Sequence, residues 1–269
     1  IKIVTDGAAD MPADWERAYE IHILPLRITW GDETYVQGVD IDKDTFYRFV
    51  REKKIFPKTT LPSPQQVIDF YRSIAQKGDE ILSVHLASKL SGTFSVINLA
   101  AQQAAGEFKI TTFDSEAGSA ALGFMCRDAR VMERQGFSLP EILQRLETIR
   151  RQLAIIFTVD NLEFAHLSGR VNALQSALSS VLNIKPIIVL RDGLLYMAEK
   201  VRTRQRSINR VLEIMRQRMG DQWVNVAVVH AADLQTAQAI AERVKELFKV
   251  RELVITDLSI PVAAHLGPG

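Results

Sequence analysis

Short β-branched runs alternate with helical patterns through the first 159 residues, and this alternation constrains the fold more than any other feature. The run Ile1–Asp6 precedes a helical segment around Trp15, and the buried run Asp79–Ala87 precedes the helical segment Val96–Ala101. Strand–helix repeats of this kind form a mostly parallel sheet covered by helices on both faces. The sequence therefore predicts an α/β fold with three α/β/α layers in its first part.

The pattern changes near Asp160. Residues 161–171 are turn-rich, and Leu174–Leu182 is apolar enough for a buried helix. Asp192 and Gly193 separate two apolar runs, which is a strong hairpin signal and introduces antiparallel strands. We expect two domains, an N-terminal α/β domain over residues 1–155 and a C-terminal α/β domain with a mixed sheet over residues 156–269.

The composition and net charge argue against several classes of function. The chain has 269 residues and a formal net charge of +1, which argues against a general nucleic-acid binder. Its one cysteine, Cys126, lies on an apolar helix face and is expected to be a core thiol. Neither a metal-spaced Cys/His cluster nor an apolar run of membrane-spanning length occurs. We expect no metal, no cofactor, no membrane insertion and a cytoplasmic location, although residue 1 is Ile and a removed leader would leave no trace.

The segment Ser88–Phe94 has the strongest features of a binding turn. It joins a predicted strand to a predicted helix, so Ser91 is placed at the helix N-cap and Gly92 leaves the first amides uncovered. The helix dipole, free amides and the hydroxyls of Ser91 and Thr93 would attract a phosphate or carboxylate. An ordinary capped helix would contain the same residues.

Two other segments place polar groups where they could reach a cleft. Thr59 and Thr60 lie in Pro57–Pro64, which we expect to be an extended loop held stiff by prolines. His265 precedes Gly-Pro-Gly in what we expect to be a rigid last loop. A structural role would explain the same residues.

The segment Lys200–Arg218 is strongly basic, with Glu213 as its only acidic residue inside that range. Its basic residues are Lys200, Arg202, Arg204, Arg206, Arg210, Arg216 and Arg218. A solvated helix face with counter-ions and a docking surface for an acidic partner both fit this pattern.

Several short motifs, in order along nearly all of the chain, together resemble the DegV family of bacterial fatty-acid-binding proteins. They are Thr5-Asp6 with Asp10 and Pro12; Thr59-Thr60-Leu61-Pro62-Ser63; Ser88-Lys89-Leu90-Ser91-Gly92-Thr93; Asp114-Ser115 with Gly118; Leu167-Ser168-Gly169-Arg170; and His265-Leu266-Gly267-Pro268-Gly269.

The resemblance implies a two-domain DegV-like fold that binds a long-chain fatty acid, such as palmitate, in a buried pocket. Thr59 and Ser91 would hold the carboxylate, with Thr60, Gly92, Thr93, Arg170 and His265 around it. It further implies a non-catalytic protein of lipid transport and fatty-acid metabolism. A separate ATP-dependent fatty-acid kinase would phosphorylate the bound carboxylate to an acyl phosphate.

Four positions depart from the usual family pattern. Gly7 replaces a usual Ser, Leu61 a usual Gln, Ser168 a usual Gly and Leu266 a usual Thr. Leu61 matters most because it removes a polar group beside the proposed head-group site.

Two other functional classes stay open. One is a phosphoryl-transfer enzyme or hydrolase that uses Asp6, Ser91 and Asp114 at strand ends. The chain lacks a Walker loop and a Gly-x-Ser-x-Gly nucleophile elbow, which weakens this hypothesis. The other is a regulatory or scaffold protein that uses the basic segment and no ligand.

Overall fold

The computed structural model describes residues 1–53, 55–160, 162–172 and 184–269. In chain order the strands are β1 (Lys2–Asp6), β2 (Ile21–Leu24), β3 (Arg27–Trp30), β4 (Glu33–Val36), β5 (Lys58–Thr60), β6 (Glu80–His85), β7 (Lys109–Asp114), β8 (Ile156–Thr158), β9 (Val171–Asn172), β10 (Lys185–Arg191), β11 (Leu194–Val201), β12 (Trp223–His230) and β13 (Lys249–Asp257). The helices are α1 (Trp15–Ala18), α2 (Lys43–Glu52), α3 (Pro64–Ile74), α4 (Thr93–Gln103), α5 (Ser119–Arg134), α6 (Leu139–Gln152), α7 (Leu162–Ser168), α8 (Arg204–Met219), α9 (Leu234–Leu247) and α10 (Ile260–Leu266).

The first sheet is parallel, in the order β2-β1-β6-β7, and has a helical layer on each face. Successive side chains of a strand point to opposite faces, so Ile3 and Val4 enter different cores. Ile3 packs with Leu122 and Ile142 of α5 and α6. Val4 packs with side chains of α3 and α4 on the other face. The predicted three-layer arrangement is confirmed.

A small antiparallel sheet, β4-β3-β5, lies beside the parallel one. Pro25 divides the predicted second strand, as its missing N–H requires, and the two halves enter different sheets. The prediction of a loop over Pro57–Pro64 is wrong in part, because residues Lys58–Thr60 pair with β3. Thr59 lies opposite Ile28 in that pairing.

The later part of the chain contains the predicted mixed sheet, in the order β8-β10-β11-β9, and a parallel pair, β12-β13. Strands β10 and β11 form the expected hairpin, whose turn residues Asp192 and Gly193 both have positive φ. These conformations are those of a type I′ turn. The fold is therefore mixed α/β, as predicted. The division at residues 155 and 156 stays a prediction.

Two segments expected to be irregular are helical. Residues Leu162–Ser168 form α7 within the turn-rich stretch, and Ile260–Leu266 form α10 within the predicted last loop. Ser259 and Pro261 explain α10, because they give it an N-cap residue and a proline in its first turn. The helix predicted over Leu174–Leu182 lies outside the described residues.

Helix α10 packs against β3 and β5. Its residues Ile260, Ala263 and Ala264 share a core with Ile28 and Phe46 from the early part of the chain. None of the helices in the described ranges has the length and apolar composition to cross a lipid bilayer.

Candidate functional site

The packing of α10 on β5 brings two predicted site residues into contact. The Oγ1 atom of Thr59 lies 2.8 Å from Nε2 of His265, although the residues are 206 positions apart. Both side chains are partly buried. Sequence reasoning placed the two residues in loops, whereas a strand and a helix hold them here.

His265 is neutral at physiological pH. Burial, with a smaller effect of the nearby positive charge of Arg170, lowers its pKa to about 4. A neutral imidazole has one ring nitrogen that donates and one that accepts. When Nε2 donates to Thr59, the Thr59 hydroxyl hydrogen is free to bind an anion.

Arg170 follows α7, which packs against α10. Its side chain is exposed and donates a hydrogen bond to the Ser168 carbonyl oxygen. Its positive charge is the smaller of the two causes that lower the pKa of His265, after burial. The position suits long-range attraction of an anion more than direct burial of one.

The turn that carries Ser91 differs by one residue from the prediction. Gly92, rather than Ser91, is the N-cap of α4, because the Ser91 amide is still bonded to the Ala87 carbonyl oxygen of the preceding turn. The Ser91 hydroxyl nevertheless accepts the Thr93 N–H at 3.2 Å and lies 2.9 Å from the Thr93 hydroxyl. Ser91 is partly buried, Gly92 exposed and Thr93 buried.

Leu61 connects β5 to the Ser91 turn. A methyl group built on Gly92 would lie 2.9 Å from the Leu61 Cδ1 atom, so the leucine side chain rests on this glycine. Leu61 is two residues beyond Thr59, which places the strand end beside the turn. Thr60 is exposed, and as the strand neighbour of Thr59 it faces the opposite way.

A large apolar cavity begins beside these groups. It has a volume of about 570 Å³, within the approximate 300–1,000 Å³ range of small-molecule sites. Its wall includes Leu90, next to Ser91, and Leu266, next to His265, whereas Thr59, Ser91 and His265 themselves lie outside the lining. Ser91 and His265 are therefore each the sequence neighbour of a residue in the cavity wall.

Sequence periodicity did not reveal this cavity. Its side chains come from α5, α6, β8, α8 and β12, among them Phe124, Ile149, Ile156, Met215 and Val226. The sequence does carry one signal, since the small residues Gly118–Ala121 at the start of α5 allow close approach of a ligand or a helix. Gly118, Ser119, Ala120 and Ala121 all line the cavity.

The strand-end carboxylates of the hydrolase hypothesis are already engaged in the fold. Asp6 is fully buried, accepts the N–H groups of Ala8 and Leu86, and contacts the imidazole of His85. Asp114 accepts the N–H groups of Ser88 and Glu116. Among the described residues, no hydrogen bond joins either carboxylate to Ser91, whose hydroxyl contacts Thr93 instead.

A buried relay has the order of a nucleophile, a base and an acid. Ser83 Oγ lies 2.7 Å from His85 Nε2, and His85 Nδ1 lies 2.9 Å from Asp6 Oδ2. All three residues have no exposed surface, and Ser83 also contacts the Tyr71 hydroxyl. The relay is therefore closed off from solvent and ties β1 to β6.

A family model described as an uncharacterised protein of the DegV family matches residues 1–269. The chain belongs to the DegV family.

Curated DegV-family relatives match over almost their whole length. Protein DegV of Bacillus subtilis is 30% identical over 271 residues, which cover 100% of this chain and 96% of that protein. A DegV domain-containing protein of Streptomyces coelicolor is 31% identical, with coverage of 100% and 95%.

Solved DegV-family structures share the fold. A fatty-acid-binding DegV family protein from Thermus thermophilus has a TM-score of 0.90 at 30% identity, covering 100% of this chain and 96% of that one. DegV from Bacillus subtilis, described as a fatty acid binding protein, has a TM-score of 0.86 at 28% identity, with coverage of 99% and 95%.

The structure shows which charges of the basic segment Lys200–Arg218 are paired and which are exposed. Arg204 pairs with Asp160 and Asp233, and Arg210 pairs with Glu199 and Glu213. Arg206, Arg216 and Arg218 are exposed on α8. Part of the basic charge is thus balanced within the fold, as the solvated-face interpretation expects.

Within the described parts of the chain, no three His, Cys, Asp or Glu residues are grouped so as to hold a metal ion.

Proposed function

We propose that this DegV-family protein binds one long-chain fatty acid, with its carboxylate at Thr59 and Ser91 and its tail in the apolar cavity. The observation that carries the proposal is the Thr59–His265 contact together with an apolar cavity whose wall includes Leu266, next to His265, and Leu90, next to Ser91. The fatty-acid-binding relatives from Thermus thermophilus and Bacillus subtilis support it.

The tail and the carboxylate head group of the fatty acid contribute differently to the binding free energy. Burial of a chain of about fifteen methylenes at roughly 0.8 kcal/mol each gives on the order of 12 kcal/mol before the cost of association. A hydrogen bond to a charged carboxylate adds roughly 1.5–3 kcal/mol. The tail therefore determines affinity, and the hydroxyls determine orientation.

Each polar residue has a role in this proposal. His265 donates to Thr59 and so directs the Thr59 hydrogen to the carboxylate, while Thr93 orients the Ser91 hydroxyl. Gly92 leaves the N-terminus of α4 uncovered, and Arg170 adds a positive charge at the surface. Thr60, which is exposed, contributes through its backbone position on β5.

We further propose that the protein presents its ligand and does not transform it. The exposure of Gly92 and Arg170 supports a carboxylate end near the surface, where a separate ATP-dependent kinase could reach it. That enzyme would transfer the γ-phosphoryl group of ATP to a carboxylate oxygen, giving an acyl phosphate and ADP. ATP supply places this step in the cytoplasm.

The test uses native mass spectrometry and palmitate titration of the purified protein. The double variant Thr59→Val with Ser91→Ala loses two hydrogen bonds to the carboxylate and should bind palmitate at least about 100-fold more weakly. Thr34→Val with Ser95→Ala changes the same residue types at exposed positions and is the matched control. Palmitate affinity equal to the parent's in the site variant would show that the carboxylate is held elsewhere.

A further inference from the structure

Asp10 is a buried carboxylate at which separate segments of the chain meet. Its Oδ1 atom accepts the Ser259 N–H at 2.8 Å, and its Oδ2 atom accepts the Ser119 hydroxyl. The Asp10 N–H donates to the Ser119 carbonyl oxygen at 3.2 Å. Gly123 packs so closely on the Asp10 carbonyl oxygen that a methyl group there would lie 2.4 Å from it.

The two serines belong to different sides of the proposed binding site. Ser119 is the first residue of α5, lines the cavity and has a φ of 55°, a conformation that costs energy in a residue other than glycine. Ser259 is the N-cap of α10, and His265 lies near the other end of that short helix. Asp10 therefore connects the cavity wall to the helix that carries the imidazole.

A neutral oxygen acceptor could take the hydrogen bonds from the Ser259 N–H and the Ser119 hydroxyl equally well. The presence of an ionisable carboxylate at Asp10 therefore needs an explanation. Burial raises the pKa of Asp10 to about 6, and the hydrogen bonds from Ser119 and Ser259 only partly offset that rise. The other charged or titratable groups that interact with Asp10 are Lys43, which attracts it, and Tyr47, whose pKa is raised by burial first and then by the charges of Asp257 and Asp10. Lys43 is in turn paired with Asp257, which lies 3.6 Å from His230.

We propose that Asp10 is a positioning residue for the head-group site: its ionised carboxylate holds α10 against α5 and thereby sets His265 at Thr59. The inference rests on the proposed function. The Asp10 carboxylate accepts the Ser259 N–H at the start of α10, a donor that has no partner inside the helix. Loss of that charge leaves α10 packed through its apolar face but less firmly placed.

The test compares palmitate affinity between pH 5 and 8, and thermal unfolding of the empty protein, in the parent and in Asp10→Asn. Asparagine retains an acceptor for Ser259 and removes the charge. We expect a Tm at pH 7.5 equal to or above the parent's, and palmitate binding weaker by about tenfold. Asp14→Asn, at an exposed aspartate, is the matched control.

The pH profiles separate positioning from a purely structural role. The ligand's own carboxylate titrates in every variant, so only the difference between profiles reports on Asp10. The parent's affinity should fall to that of Asp10→Asn below about pH 6, and Ser119→Ala should move this midpoint upward because the hydroxyl lowers the pKa of Asp10.

Three results would overturn the inference. The first is that Asp10→Asn binds palmitate as tightly as the parent at pH 7.5. The second is that Asp10→Asn has a lower Tm and a lower palmitate affinity than the parent, while the dependence of affinity on pH is the same in both proteins. The third applies if Asp10→Asn does not fold: the inference is then refuted if palmitate affinity in Ser119→Ala falls at the same pH as in the parent. A parent that binds no palmitate at all would instead reject the proposed function and this inference with it.

Discussion

The imidazole of His265 lies 2.8 Å from the hydroxyl of Thr59, across 206 positions of sequence. This contact requires α10 to dock on β5, so the proposed head-group site forms only when α10 is in place. The site is therefore a product of tertiary packing and not of one local motif.

Stability should decrease in acid because of His265. Its pKa is about 4 in the folded protein, below the ordinary 6.5, so the unfolded chain takes up this proton first as the pH falls. The contribution to stability is complete above about pH 6.5 and is lost toward pH 4, by roughly 2–3 kcal/mol at pH 4.5. Chemical denaturation at pH 7 and 4.5 should show that His265→Gln loses less unfolding free energy between these two pH values than the parent does. An equal loss in both proteins would contradict the buried, neutral imidazole.

Two glycines should respond differently to alanine. At Gly123 the new methyl would meet the backbone of Asp10 at 2.4 Å, whereas at Gly92 it would meet only the tip of the Leu61 side chain. Backbone cannot move aside as a side chain tip can, so Gly123→Ala should lose about 1–3 kcal/mol of unfolding free energy. Gly92→Ala should stay within about 0.5 kcal/mol of the parent. Urea denaturation measures both, and a larger loss at Gly92 would refute the packing described for Leu61.

Filling the cavity should weaken binding according to chain length. Ala227 of β12 lines the cavity, and Ala227→Phe would displace two or three methylenes of a long tail, a loss of roughly 2 kcal/mol or about 30-fold in affinity for palmitate. Decanoate should be affected less. Ala198→Phe, at an exposed alanine of β11, is the control for titration of both acids. Equal losses for the two chain lengths would mean that the tail does not occupy this cavity.

Cys126 should be inert in the folded protein. It is fully buried, and burial raises the pKa of its thiol to about 12, so almost no thiolate forms at neutral pH. A thiol reagent at pH 8 should label the protein only after addition of denaturant. Rapid labelling without denaturant would show that the core around α5 opens readily.

The parallel sheet could be predicted because its strands are long, β-branched and separated by helices with clear apolar faces. Strand β5 was missed because three residues, Lys58–Thr60, carry little strand signal and depend on pairing with β3. Helix α10 was missed because Gly267 and Pro268 suggested a loop, whereas Ser259 and Pro261 start a helix before them.

The proposed head-group residues were predicted from a family resemblance, which also implied a buried pocket but not the residues that line it. Thr59, Ser91 and His265 occur in recognisable motifs, so the sequence could name them without showing that Thr59 and His265 touch. The cavity is lined by elements from α5 to β12, and no periodic pattern relates their facing side chains. Asp10 was noted only as part of a motif, because its two serine partners are distant in sequence.

The most direct measurement is a crystal structure of the protein with 16-bromohexadecanoate, whose anomalous scattering locates the end of the tail. We expect the carboxylate oxygens within about 3 Å of Thr59 Oγ1 and Ser91 Oγ, and the bromine inside the apolar cavity beyond Leu90 and Leu266. A bromine beside Thr59, or a ligand bound outside the cavity, would contradict the account.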